Sequence, residues 1–154
     1  MKEIIPIVGR VTVKVKRAKT GETEVICDRK ENLLTTGGRD WIHGQVYDEG
    51  TTDEAKYIAL TSNSDAASAA DTVVTGEITT GGLARAAGTY DHTASGNETT
   101  ITKTFTSSGS HTGVQKAGLL TASSSGTLVH ENTFSSVNLE SSDELTVTWT
   151  ITAG

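Results

Sequence analysis

The residues that could do chemistry are present in this chain, but they are scattered. The four histidines, His43, His92, His111 and His130, lie in different predicted elements. None has a second His, Cys or acid at metal-ligand spacing, so no zinc site is predicted. Asp91-His92 stands beside abundant serines, the makings of a hydrolase, yet no serine has the strand-to-helix setting of a nucleophile elbow. Asp48, Glu49, Asp53 and Glu54 could hold a hard cation through oxygen ligands, but their spacing is not that of an EF-hand loop. A solvated acidic loop is the favoured reading. Gly37-Gly38 ahead of a helix could receive an anion, although the remaining phosphate-loop glycines and lysine are missing. Asn97-Glu98-Thr99 is a formal glycosylation sequon that matters only in a secreted chain. Cys27, the one cysteine, excludes an intrachain disulfide and reads as a small buried hydrophobe. These residues argue for no enzyme, no metal and no cofactor.

Charge and composition narrow the partners. The net charge is −6 over 154 residues, one domain by length. Yet residues 1–20 hold six basic groups, Lys2, Arg10, Lys14, Lys16, Arg17 and Lys19, against the single acid Glu3. Such asymmetry suggests a contact made by the basic end; lysines that keep an exposed strand from pairing edge to edge are the plainer reading. The basic stretch lacks aromatics to stack on bases, so nucleic acid is not the expected partner. No run approaches the roughly 18 apolar residues of a membrane span, and no secretion signal is read; the expectation is a protein made soluble in a cytoplasm. Large groups are few, with two Trp, three Tyr, two Phe and one Met. The core should therefore be thin, and further burial between subunits is expected.

The elements that must position everything are strands. Leu145, Val147, Trp149 and Ile151 alternate with Thr146, Thr148, Thr150 and Thr152, which puts the large groups on one face and every threonine on the other. Val11, Val13 and Val15 alternate likewise with Thr12, Lys14 and Lys16, and the turn chemistry of Lys19-Thr20-Gly21-Glu22 makes 10–27 a hairpin. A short helix is expected at 37–47, with Thr36 as its N-cap and Gly38, Trp41, Ile42, Gln45 and Val46 on one face. Strands follow at 57–61, 83–91, 99–106, 113–121, 127–135 and 144–152; Val73 to Ile78 reads as either strand or helical turn. The fold class is mainly β, an antiparallel sandwich or barrel. Residues 1–9, with Ile4, Ile5, Pro6 and Ile7, form an apolar extended arm ahead of a single β domain at 10–154. Trp41, Leu145, Val147, Trp149 and Ile151 are the expected core anchors.

Several segments resemble small virion structural proteins of tailed phages. Asn32-Leu33-Leu34-Thr35-Thr36-Gly37-Gly38-Arg39-Asp40-Trp41-Ile42 is similar to their "N-L-[IV]-T-x-x-G-x-[DE]-[FW]-I" segment. Tyr57-Ile58-Ala59-Leu60 and the Ala/Ser/Asp loop to Asp71-Thr72 resemble "I-A-[LV]-G-x-G… A-x-D-T". Gly76-Glu77-Ile78, Leu83-Ala84-Arg85, Ala117-Gly118-Leu119-Leu120, Gly126-Thr127-Leu128, Thr133-Phe134 and the final strand follow in order. Thr61 replaces the usual glycine after Leu60, and Lys116 stands where an acid often precedes Ala-Gly-Leu. The resemblance implies a particle component without catalysis: a head decoration (cement) protein, a head fibre, or a tail or baseplate part. Decoration is favoured, with the major capsid protein as partner, a trimeric assembly, and Ile4, Ile5, Pro6, Ile7, Arg10, Lys14 and Lys16 as candidate contacts. A receptor- or glycan-binding module, using Tyr47, Tyr57 or Tyr90, is the alternative from another class.

Overall fold

Two antiparallel sheets stack face to face in a computed structural model that describes residues 6–47 and 53–154. The strands are β1 (Ile7–Lys16), β2 (Thr23–Glu31), β3 (Leu33–Leu34), β4 (Tyr57–Thr61), β5 (Ala86–Ala87), β6 (Thr89–His92), β7 (Glu98–Thr106), β8 (His111–Leu120), β9 (Leu128–Leu139) and β10 (Glu144–Ala153). The helix α1 spans Thr36–Tyr47. One sheet runs β2-β1-β10-β7-β6 and the other β3-β9-β8-β4-β5. They do not close on each other, so the chain is a sandwich and not a barrel. Among the described residues no helix is long and apolar enough to cross a membrane.

Strand β10 is central in its sheet, paired with β1 on one side and β7 on the other. Its alternation explains the placement: Leu145, Val147 and Trp149 are fully buried against Val11, Val13 and Val15 of β1 and Ile101 and Phe105 of β7. On the outer face its threonines meet those of β7, with Thr102 donating to Thr148 at 3.1 Å and Thr104 and Thr146 2.7 Å apart. The second sheet contributes Ile58, Leu60, Val114, Ala117, Leu119, Phe134, Val137 and Leu139 to the same core. A smaller cluster of Ala59, Val74, Leu120 and Leu128 lies apart from it. Val74 comes from the segment whose type the sequence left open. That segment is neither strand nor helix; it makes one bridge, Thr61 to Glu77. At the hairpin end, Asp143 accepts from Ala18 N–H at 2.8 Å, Glu140 N–H at 3.0 Å and Arg17 Nη1 at 3.0 Å, joining the β1–β2 and β9–β10 turns. These bonds hold its carboxyl below the usual range.

Three expectations change. The arm is shorter than residues 1–9, because Ile7, Val8 and Gly9 already pair with Ala153, Thr152 and Ile151. The strand expected at 83–91 is two strands in different sheets: β5 pairs with β4, and β6 with β7. Gly88 makes the crossing, donating to Lys56 O at 2.7 Å in a space where a Cβ would sit 2.7 Å from Ile101 Cγ2. The helix is capped by Thr35 instead of Thr36. Thr35 Oγ1 accepts from Gly38 N–H at 2.9 Å and also donates to the Leu128 carbonyl, so one hydroxyl caps the helix and ties it to β9.

Candidate functional site

The site begins with how closely α1 can approach β9. Gly38 lies against β9, where a Cβ would sit 2.7 Å from Val129 Cα. Alanine is intrinsically favoured in a helix by about 1 kcal/mol over glycine. Gly38→Ala should nevertheless lose roughly 1–3 kcal/mol in urea unfolding, because backbone cannot give way as a side chain can.

This approach leaves a cavity of about 580 Å³ at one end of the sandwich. Trp41 and Ile42 of α1 form one wall. Ile7 of β1, Ile151 of β10, Ile101 of β7 and Tyr90 of β6 come from one sheet, and Leu119, Val129 and His130 from the other. Ala55 lines it too, ahead of β4, and among the described residues Asp53, Glu54 and Lys56 supply its charged groups. Glu54 and Lys56 pair with each other, and the Lys56 ammonium lies 5.9 Å from the Tyr57 ring centroid. The lining is otherwise overwhelmingly apolar, suited to excluding water from a hydrophobic occupant and unsuited to polarising a bond.

His130 is the one imidazole among the described lining residues. It stacks on Trp149 with centroids 6.1 Å apart and planes 23° from parallel. Burial lowers its pKa from 6.5 to about 4, so the ring is neutral at physiological pH. Its Nδ1 has no hydrogen-bond partner among the described residues. Among the described residues it makes no ion pair with a carboxylate.

The structure separates the residues singled out from sequence. Ile4 and Ile5 lie outside the described residues. Pro6 is exposed and accepts from Gly154 N–H at 3.3 Å, while Ile7 is 43% exposed at the cavity. Arg10, Lys14 and Lys16 share the outer face of the first sheet and do not join this site. Arg10 pairs with Glu31 at 3.4 Å and Lys16 with Glu144 at 3.6 Å. Leu145, Val147 and Trp149 are core anchors as expected. Trp41 is not: it is half-buried and walls the cavity, whereas Ile151 packs against the core and lines the cavity as well. The reason is that α1 packs beside β9 at the sandwich end instead of between the sheets. His92 is exposed, with Nδ1 2.9 Å from Glu98 O; His111 Nε2 is 3.0 Å from Gly81 O. Of the acidic loop, Asp48 and Glu49 lie outside the described residues, and among those described no cluster of metal-ligating groups occurs. Cys27 is half-buried, and burial pushes its thiol up, away from reactivity.

A second polar group escaped the sequence. Lys116 Nζ lies 3.6 Å from Glu131 Oε1, with side chains only 2% and 1% exposed. Burial and the nearby Asp71 carboxyl push Glu131 up to about 7 against the pull of Lys116. Substrate has no access here, so the pair belongs to the architecture. A lysine and a glutamate far apart in sequence carry no local mark of their pairing. No known protein family matches the chain, and neither a curated protein nor a solved structure is detectably similar to it.

Proposed function

We propose that this chain is a non-enzymatic virion structural protein, a decoration protein that binds the outside of a tailed-phage head as a trimer and stabilises the shell. The observation that carries this reading is the apolar cavity at the end of the sandwich where the N-terminal segment leaves β1. A rigid double sheet with an open hydrophobic receptacle beside an apolar tail is built for holding onto other protein. The segments that resemble phage proteins support it, since three of them fall in α1, β8 and β10, which supply Trp41, Ile42, Leu119 and Ile151 to that cavity. Many copies, each with a modest contact, add to a large total by multivalency. The major capsid protein is the proposed partner, and the head surface the proposed location.

Gold-labelled antibody against the protein should decorate intact particles over the whole head. Label confined to the tail would replace decoration with a tail, baseplate or fibre role. One observation favours a glycan-binding module instead: Tyr90, on edge strand β6, is 63% exposed, as a sugar-stacking ring would be. Free-sugar binding abolished by Tyr90→Ala would establish that reading; no binding leaves decoration in place.

A further inference from the structure

We propose that the cavity is the receptor for Ile4 and Ile5 of a second copy of this chain, so that the assembly is held by exchanged N-terminal arms. This deepens the decoration reading and rests on its oligomeric part. The chemistry of the two sides matches. The cavity presents Trp41, Ile42, Leu119, Val129 and Ile151 with few polar groups, and the five residues ahead of Pro6 include two adjacent isoleucines.

The direction of the chain selects a neighbour's arm over the domain's own. Ile7 is in register with Ala153, and the Pro6 carbonyl still accepts from Gly154, so β1 runs straight to the rim of the cavity. Ile5 precedes proline, which biases it to extended backbone. A reversal centred on Ile5-Pro6 would put proline at the third turn position, where it is disfavoured in the commonest turn. A neighbour's arm is therefore the proposed occupant, the described chain at Pro6 and Ile7 pointing along β1. Five extended residues reach roughly 17 Å, enough to cross a subunit boundary. Copies linked in this way close into a two-fold dimer by reciprocal exchange or into a larger ring, the trimer of the decoration reading among them, according to the rotation between them.

The test pairs a cysteine on the arm with one in the cavity wall. Ile5→Cys and Ala55→Cys, together in a Cys27→Ser background, should give covalent multimers on a non-reducing gel under mild oxidation. Each single-cysteine protein should give at most dimers. A disulfide within one chain would overturn the proposal, since the arm would then fill its own cavity. Light scattering supplies a readout that needs no crosslink. Ile4→Asp/Ile5→Asp should reduce the oligomer to monomer mass with an unchanged β circular dichroism spectrum. An unchanged oligomer, or a wild-type chain that is monomeric at high concentration, would equally overturn it. Neither result touches head labelling, so arm exchange can fail while decoration stands.

Discussion

Trp149→Ala should destabilise the protein by roughly 3–5 kcal/mol, the cost of emptying a fully buried aromatic site. For a chain of this length that is a drop in melting temperature of roughly 10–15 °C. The site cannot collapse easily. Trp149 pairs with Val11 on one side and Ile101 on the other, both in continuous ladders, and its ring stacks on His130 from the opposite sheet. Trp149→Phe should cost far less, because the indole Nε1 has no partner to lose among the described residues. Urea unfolding followed by far-ultraviolet circular dichroism distinguishes the two. A near-wild-type midpoint for Trp149→Ala would mean that the ring does not bridge the sheets.

Lys116→Met should be comparably damaging, about 3–5 kcal/mol at pH 8, because it leaves the Glu131 carboxylate buried without its cation. The loss should shrink at pH 5, where Glu131 takes up a proton instead. Replacing both partners, Lys116→Met/Glu131→Leu, should be close to neutral or stabilising, since the desolvation of two charges disappears with them.

The pH dependence has a sign that can be worked out. Glu131 is raised from 4.5 to about 7 in the fold, so the native state holds more protons than the unfolded one between those values, and stability falls as pH rises through that window. His130 is lowered from 6.5 to about 4, so there the unfolded state holds more protons and stability rises with pH. The two slopes oppose each other where the windows overlap, between 4.5 and 6.5, and leave the wild type nearly flat on their account. His130→Phe should expose the falling Glu131 slope, and the double Lys116/Glu131 replacement the rising His130 slope. Parallel pH profiles for the two variants would contradict both assignments.

How much was legible in advance depends on whether the signal was local. The unbroken two-residue period of Leu145 to Thr152 identified the buried face of β10, because strand geometry alone sends alternate side chains to opposite sides. The same held for Val11, Val13 and Val15, and for the hairpin that follows them. The helix was legible for its length and its apolar face. Which threonine capped it was not, since Thr35 and Thr36 are chemically equivalent and only the reach of the Leu128 carbonyl chooses between them.

What the amino-acid order determined by itself was most of the long strands, the inward faces of β1 and β10 and the absence of a recognisable catalytic motif, all consequences of chemistry within a few residues. Only the tertiary structure decided that Trp41 walls a cavity instead of anchoring a core, and that Ile151, packed against the core, also lines it. An apolar face requires an apolar neighbour but does not say whether that neighbour lies in the same chain. Only the structure, too, joined Lys116 to Glu131 and split the 83–91 strand at Gly88. Register shifts along β8 and β9 blur the alternation there, and a sheet switch depends on which strands lie alongside. Pairing across the chain is long-range information, and it built the apolar cavity.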